Sequence, residues 1–195
     1  MSRKEDILET ARRLFNASNT QAVTTNHIAK EMGISPGNLH YHYKNREEII
    51  RLLYKQMREK MTLSKEEFPQ TLEALSAHQK MLIGIQWEYR FFFREILFLF
   101  SRDSELERIY IEDNIAHRTR IKFIMESFVA NGELDIREND LLEYLVDSIL
   151  MAWQFYTSYM QTLGKPLCRQ SAEETVQYTI NAISQFQPKL CIRIV

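Results

Sequence analysis

The sequence is poor in the residues that cross-link or interrupt a fold. Among 195 residues there are two cysteines, Cys168 and Cys191, which give neither a disulfide framework nor a zinc-ligand spacing. Five glycines and four prolines leave long segments free of breaks. These shortages exclude a small disulfide-stapled protein. No metal or other cofactor is expected, and the low cysteine content favours a cytoplasmic location.

Long uninterrupted apolar segments are also missing. The most apolar part of the chain, residues 81–100, includes the charged side chains Glu88, Arg90, Arg94 and Glu95, and charges at bilayer depth are costly. The first ten residues are charged and lack the apolar centre of a secretion signal. We therefore expect no membrane span, and residues 81–100 are predicted to be buried helix.

Charge is balanced overall, with a net charge of −1, but it is unevenly distributed along the chain. Residues 1–62 carry 11 Lys or Arg against 7 Asp or Glu, while the remainder carries 14 against 19. A basic amino-terminal part on an acidic body is typical of a phosphate-binding module joined to a part that does not bind nucleic acid. An ordinary solvated surface would explain so small a surplus equally well.

Helical spacing of apolar residues recurs throughout, whereas strand-like alternation is nearly absent, so an all-α fold is predicted. A first helix is expected over about 3–17 and a second from Thr24 or Thr25 to a stop at Gly33. A short third helix follows, with Ser35 as its cap and Pro36 as its first residue. A capping box at 45–48 starts a fourth helix, which ends near residue 61.

The rest of the chain predicts further helices. One begins near residue 69, with a possible break near 90, and another runs from a turn at 101–104 to 131–132. Capping boxes at 135–138 and 171–174 are expected to open helices that end near 163 and 187.

Three short helices joined by tight turns match a helix-turn-helix. The recognition helix of such a unit presents polar side chains to DNA, while its opposite side is apolar. In the third predicted helix Leu39 and Tyr43 are the inward candidates, and polar residues occupy the outward positions. Packing alone, with 41–43 as a buried aromatic cluster, would also produce this pattern.

The run VTTNHIAKEMGISPGNLHYHYKNREEII resembles the DNA-binding domain of the TetR (tetracycline repressor) family, over about the first 55 residues. This resemblance implies homodimers that bind palindromic operators on double-stranded DNA, usually as repressors, with the remaining helices forming a ligand-binding and dimerising domain. Carried over by position, it implies the following DNA-contacting residues: Thr24, Thr25, Asn26, Ser35, Pro36, Gly37, Asn38, His40, Tyr41, His42 and Arg46.

The resemblance also implies a role for each part of this set. The members before Gly33 open the helix that meets the DNA backbone, and those from Ser35 to His40 face the major groove. Tyr41, His42 and Arg46 would hold phosphates. His40 stands where the family most often has tyrosine, so either a base or a phosphate contact is open there, and a histidine can introduce pH sensitivity.

The predicted organisation is an amino-terminal helix-turn-helix DNA-binding domain over 1–45 and a connecting helix over 46–62. A helical domain for effector binding and dimerisation follows over 63–187, with a tail over 188–195. Residues 135–163 carry two apolar stripes, and a helix that is apolar on two faces must be covered twice. A twin subunit would cover one face through these residues: Leu141, Tyr144, Met151, Phe155, Tyr159, Val176, Ile180 and Ile183. A deeply buried helix of a monomer is the alternative.

Aromatic residues are frequent between Trp87 and Tyr159. An apolar cavity with a few polar groups is the usual small-molecule site. We therefore predict an apolar or aromatic effector that contacts Trp87, Arg90, Phe91, His117, Phe123 and Trp153. Ordinary core packing explains such a composition as well.

Other functions are weaker candidates. No Ser-His-Asp order, metal box or phosphate loop occurs, so an enzyme is not expected. An activator or a ligand-independent regulator of the same fold stays open, and so does a helical dimer that binds protein. The sequence leaves the effector, the operator and the sign of regulation undetermined.

Overall fold

The structure is a computed structural model of the chain, and it describes residues 2–64 and 67–188. These residues form nine α-helices and no β-strand, which confirms the predicted all-α fold. The helices, named α1 to α9 in chain order, have these bounds: Arg3–Ala17, Thr25–Glu31, Pro36–His42, Arg46–Met61, Leu72–Glu88, Arg90–Arg102, Ser104–Ala130, Asn139–Thr162 and Arg169–Ser184. The tail predicted at 188–195 lies, apart from Pro188, outside the described residues.

Side-chain caps fix the starts of the first four helices. In each case the side chain before the helix accepts a hydrogen bond from the backbone N–H three residues ahead; the caps are Ser2, Thr24, Ser35 and Asn45. These bonds satisfy donors that a helix start leaves without partners. The box predicted at 45–48 forms only in part, because Glu48 accepts a bond from the Lys44 N–H at 2.7 Å.

By packing, the chain divides into two compact units. Unit 1 consists of Met1–Thr62 and Ile85–Tyr110, and unit 2 consists of Leu63–Gly84 and Ile111–Val195. The domain boundaries expected at 45 and 62 refer to DNA and effector binding, and they stay predictions.

The core of unit 1 contains a group of aromatic side chains. Phe15 of α1 is fully buried against Phe91 of α6, with ring centroids 5.3 Å apart. Tyr54 of α4 stacks on Phe92 of α6 at 4.9 Å. Helix α6 therefore shares one core with the amino-terminal helices. The apolar segment 81–100 is divided between α5 and α6, and none of the described helices is long and apolar enough to cross a membrane.

A buried asparagine joins α1 to the break between α5 and α6. Asn16, 8% exposed, donates from Nδ2 to the Glu88 carbonyl at 2.7 Å and accepts from the Phe91 N–H at 3.1 Å. Arg12 donates to the same carbonyl at 2.8 Å. The break predicted near residue 90 lies at Tyr89, and one side chain satisfies both an orphan acceptor of α5 and an orphan donor of α6.

The core of unit 2 is mostly aliphatic. It is built from one face each of α5, α7, α8 and α9, and its fully buried side chains include Phe128, Val146 and Ile183. Helices α8 and α9 pack along each other, with the rings of Tyr156 and Tyr178 at 5.2 Å.

The capping box expected at 135–138 is wrong, because α8 starts after this segment without a side-chain cap. Leu134 and Ile136 are buried, and the Asp135 N–H donates to the Phe186 carbonyl at 2.8 Å. Packing on the core therefore holds the segment out of the helix.

The box expected at 171–174 is also wrong. Helix α9 begins at Arg169, and the residues that cap each other reciprocally are Cys168 and Ser171. Ser171 thus lies inside the first turn instead of preceding it.

Removal of the Asn16 side chain should destabilise the protein. Asn16→Ala leaves the buried Phe91 N–H without this acceptor and the partly buried Glu88 carbonyl with Arg12 as its remaining side-chain donor, at a cost of about 2 to 3 kcal/mol. Urea denaturation measures the change in the free energy of unfolding. Asn139→Ala, at the exposed start of α8, is the control and should change it by less than about 0.5 kcal/mol. Equal effects would refute the role of Asn16.

Candidate nucleic-acid interface

The turn between α2 and α3 is formed by a glycine in the left-handed region. Gly33 has φ of 66°, a conformation that other residues adopt only with strain. Its N–H donates to the Lys30 carbonyl at 3.1 Å, and the Ile34 N–H donates to the Ala29 carbonyl at 3.0 Å. This is a Schellman ending, which stops α2 and directs the chain into α3.

Helix α3 presents a polar surface. Leu39 is fully buried and anchors the helix to the core of unit 1. The predicted groove-facing side chains are exposed on the other side: Ser35, Pro36, Gly37, Asn38 and His40. A recognition helix needs this arrangement, because polar groups near its start must reach base edges while its inner side packs.

Three consecutive aromatic residues end α3 in different environments. Tyr41 is 86% exposed, while Tyr43 is buried and donates from its hydroxyl to the Lys4 carbonyl at 3.0 Å. Burial, and then the charges of Glu48 and Glu5, raises the pKa of Tyr43, so this hydroxyl stays a donor. His42 is partly buried, and its Nδ1 has no hydrogen-bond partner among the described residues. The alternative of one buried aromatic cluster therefore fails for Tyr41.

The predicted contacts at the start of α2 come shortly before α3 in the sequence. Thr24 and Asn26 are exposed, and Thr25 is half-buried. Thr24 and His27 cap each other, each backbone N–H lying 3.3 Å from the other side chain. The Thr24 hydroxyl is thus engaged with the backbone of its own helix.

Arg46 has partners within unit 1. Its guanidinium donates to the Thr20 carbonyl at 2.6 Å and to Glu47 at 2.9 Å. The side chain is 20% exposed, and Nε is buried without a partner among the described residues. These bonds account for the position of Arg46 at a helix start, so no phosphate is needed to explain it. The argument for a phosphate contact of Arg46 is therefore lost, and the contact stays a prediction.

Lys44 was not among the predicted contacts. It lies between α3 and α4, its side chain is exposed, and the bond from its N–H to Glu48 fixes its backbone. A lysine directly after the recognition helix is a sequence signal for a phosphate contact, and this signal was available.

The predicted effector residues fall in both units. Trp87, Arg90 and Phe91 belong to unit 1, where Arg90 lies over the Trp87 ring at 4.6 Å and Phe91 is fully buried in the core. The other three belong to unit 2. There His117 meets Trp153 edge to face at 6.4 Å, whereas Phe123 is 50% exposed.

The predicted dimerisation residues also separate into two groups. On α8 the second apolar stripe is exposed at Tyr144, Met151, Phe155 and Tyr159, with Leu141 half-buried. On α9 Ile180 is half-buried, but Val176 and Ile183 are covered by unit 2 itself. The sequence prediction missed two exposed apolar residues: Tyr178 of α9 and Leu163 of the loop before α9.

This capped three-helix unit, with its exposed polar recognition helix, defines a helix-turn-helix DNA-binding protein. Two family models match the chain. The one described as bacterial regulatory proteins of the tetR family matches residues 7–53, and the one described as bacterial transcriptional repressor matches 53–185. The chain belongs to the TetR family of transcriptional regulators, which are not enzymes. Regulators of this family bind DNA, and they typically dimerise and respond to small molecules.

Solved structures agree in fold. A TetR-family regulator from Marinobacter aquaeolei is 22% identical, with a TM-score of 0.86 over 97% of this chain and 93% of that chain. PfmR from Thermus thermophilus is 19% identical, with a TM-score of 0.71 over 94% and 99%. The ketosteroid regulator KstR2 of Mycobacterium tuberculosis is 19% identical, with a TM-score of 0.63 over 93% and 95%. A sequence comparison with curated proteins gives no match.

Substitution of the turn glycine should separate backbone strain from side-chain crowding. An added Cβ meets no atom within 4 Å at Gly33 or at Gly84 of α5, but only Gly33 has a positive φ. Gly33→Ala should lower the free energy of unfolding by about 1 to 2 kcal/mol. The control Gly84→Ala, in a helix, should raise it by about 0.5 to 1 kcal/mol. Thermal denaturation tests both signs, and a stabilised Gly33→Ala would contradict the argument.

Lowering the pH should destabilise unit 2 through His117. Burial, together with Arg120 and His78, lowers the pKa of His117 to about 4, below its ordinary value near 6.5. Between about pH 6.5 and 4 the unfolded chain therefore binds a proton that the folded chain does not, and the free energy of unfolding falls by up to about 3 kcal/mol. His117→Gln should flatten this part of the pH profile of urea denaturation. An unchanged profile would contradict the assignment.

Proposed function

We propose that this protein is a homodimeric repressor that acts in the cytoplasm. It binds a palindromic operator through α3, and a small apolar or aromatic effector releases it. The observation that carries the proposal is the exposed polar surface of α3 behind a buried Leu39. Tyr41 and Lys44 lie at the carboxyl end of this surface and supply the phosphate contacts.

Two copies are needed because a palindrome has two half-sites, each read by one recognition helix. The stripe of α8 formed by Tyr144, Met151, Phe155 and Tyr159 supports the homodimer, since all four side chains are 43% exposed or more. A row of large apolar side chains on one helix face is costly to leave in water. We call it the α8 stripe, and we place the interface there, with Tyr178 of α9 beside it.

Effector binding is placed in unit 2, around His117 and Trp153. These two residues are the members of the predicted effector set that contact each other in this unit. KstR2, one of the structural relatives, is a ketosteroid transcriptional regulator by its description. A small-molecule site in this chain's helical part is consistent with that relative and with the family's typical behaviour.

DNA binding should depend on Tyr41 and Lys44. With a fragment selected from the source genome by the pure protein, Tyr41→Ala and Lys44→Ala should each weaken binding by about tenfold, since each removes a phosphate contact. Lys44→Ala should also reduce the salt dependence of binding, because fewer counterions are released. Gel shifts at several salt concentrations measure both effects.

Arg137→Ala is the matched control for charge, because this arginine is 86% exposed and pairs only with its neighbour Asp135 among the interactions of the described residues. It should leave affinity and salt dependence unchanged. Salt-insensitive binding by the wild-type protein, or equal effects of all three substitutions, would refute the proposed interface.

The homodimer should dissociate when charge is placed in the α8 stripe. Met151 is 58% exposed in one chain, so Met151→Glu can fold, but in a dimer it would bury an unpaired carboxylate. Sedimentation equilibrium should show a dimer for the wild-type protein and a monomer for the variant, each with unchanged helical circular dichroism.

Ile115→Glu is the matched control, since Ile115 of α7 is 63% exposed and lies outside the stripe. It should stay dimeric. A dimeric Met151→Glu protein, or a monomeric wild-type protein at micromolar concentration, would exclude the α8 stripe as the interface.

A further inference from the structure

The start of α1 is in direct contact with the end of the recognition helix. The buried Tyr43, which directly follows α3, donates from its hydroxyl to the backbone carbonyl of Lys4 at 3.0 Å. Ser2 fixes the start of α1 through a reciprocal capping box. The backbone at this helix start therefore lies beside the carboxyl end of α3, where the phosphate contacts of Tyr41 and Lys44 are proposed.

Two cations occupy the first turn of α1. Arg3 and Lys4 are the first two residues of the helix, and both are exposed. A cation at a helix start opposes the helix dipole, which instead favours acidic residues such as Glu5 and Asp6 of the same turn. The stability of α1 therefore does not account for the two cations.

Both cations continue the packed face of α1. Ile7 and Leu8 belong to the core cluster of unit 1, as does Tyr43. Arg3 and Lys4 precede them by four residues each and therefore lie on the same face, one turn earlier. Side chains of a helix lean toward its amino end. The packed face of α1 thus ends in positive charge next to the end of α3.

These two cations differ from one near the other end of α1. Arg13 forms an ion pair with Glu31 of α2. The side chains of Arg3 and Lys4 have no ion pair, hydrogen bond or ring contact within residues 2–64 and 67–188. Their charges are therefore not neutralised by a partner in that part of the chain.

Two acidic side chains near this place are held by backbone groups. Glu5 accepts a hydrogen bond from the Ser2 N–H at 2.7 Å. Glu48 of α4 accepts one from the Lys44 N–H, also at 2.7 Å. Burial, and then the charges of these two carboxylates, raises the pKa of Tyr43, so both lie near its hydroxyl. The acids offset part of the positive charge, and their removal is expected to act in the opposite direction.

We propose that Arg3 and Lys4 bind the phosphate backbone of the operator, beside the phosphate contacts at the end of α3. Both side chains carry N–H donors with a positive charge, which phosphate oxygens accept. The bond between Tyr43 and Lys4 makes this surface continuous with that of α3. The inference rests on the proposed function, in which α3 reads the operator. The alternative is a solvated helix end with no role in binding.

Gel shifts at several salt concentrations test the proposal, with the full chain and a fragment that the pure protein selects from the source genome. Lys4→Ala should weaken binding by about tenfold and lower the slope of log affinity against log salt by about 1 to 2, because each half-site loses a contact. The double variant Arg3→Ala with Lys4→Ala should lose more of both. Lys4→Arg should bind like the wild-type protein, since it keeps the charge. An unchanged slope in the double variant would overturn the proposal.

Lys55→Ala is the matched control. Lys55 of α4 is 60% exposed, and its Nζ lies 3.9 Å from a carboxylate oxygen of Glu59 in the same helix. The substitution therefore changes the net charge equally without removing a contact between helices. It should leave affinity and slope unchanged. Equal effects of Lys55→Ala and Lys4→Ala would overturn the proposal, because net charge alone would then explain the loss.

Removal of an acid from the same turn should have the opposite sign. Glu5→Gln can keep the bond to the Ser2 N–H, since glutamine also serves in a capping box. It removes a negative charge that repels the phosphates, so binding should tighten by about twofold. Unchanged or weaker binding would place this end of α1 away from the DNA and overturn the proposal.

The melting temperature separates binding from folding. Lys4→Ala removes a cation from a helix start and keeps the backbone carbonyl to which Tyr43 bonds. The melting temperature should therefore be unchanged or higher. Weaker DNA binding together with a lower melting temperature would assign the Lys4 side chain to the fold and overturn its role in binding.

An unrelated duplex of equal length distinguishes a phosphate contact from a base contact. Phosphates carry no sequence information, so Lys4→Ala should weaken binding to the selected fragment and to the unrelated duplex by the same factor. Asn38→Ala, in the groove-facing set, should weaken mainly the binding to the selected fragment. A loss confined to that fragment in Lys4→Ala would indicate a base contact and overturn the phosphate assignment.

The outcomes separate this inference from the proposed function. If Lys44→Ala weakens binding while Lys4→Ala behaves like Lys55→Ala, the recognition surface of α3 stands and the inference about α1 fails alone. If binding by the wild-type protein does not depend on salt, the proposed interface fails and this inference fails with it.

Discussion

The arrangement of unit 1 depends on the two hydrogen bonds of Asn16. A helix break leaves carbonyls of one helix and N–H groups of the next without partners, and the residue at this break, Tyr89, is buried. Asn16 supplies an acceptor and a donor from α1. Glu95 extends the attachment by accepting from the Thr20 N–H at 2.9 Å and from its hydroxyl at 2.6 Å. Helix α6 is therefore bonded to α1 and to the loop after it, and α2 packs on α1 and on α3.

The helix-turn-helix could be predicted from the sequence because its determinants are local. Ser35 and Pro36 fix the start of α3 within one turn, and Gly33 ends α2 through its own backbone conformation. Leu39 and Tyr43 are placed inward by helical spacing alone. None of these features needs information from distant parts of the chain, and so both the elements and the exposed surface of α3 followed from residue types and spacing.

Features that depend on distant partners could not be predicted. The segment at 135–138 reads as a capping box, but burial of Leu134 and Ile136 outweighs a local cap worth about 1 kcal/mol. Arg46 reads as a free cation, yet its partner Thr20 lies 26 residues earlier in the chain. The apolar pattern of α9 is likewise ambiguous, because spacing cannot tell a residue covered by its own chain from one left for a second copy.

An effector site is hard to predict from sequence, because aromatic content does not distinguish a binding site from a core. Phe91 is a predicted effector residue, but its packing on Phe15 fully accounts for it. A buried polar group without a partner does not mark such a site by itself either, since His42 Nδ1, Arg46 Nε and the Thr175 hydroxyl all lack one among the described residues. A threonine on a helix carries no sequence signal of this kind, because most such hydroxyls bond to a preceding carbonyl or to solvent. Only the three-dimensional surroundings of Thr175 separate it from Thr179, which has the same residue type and lies one turn away on the same buried face.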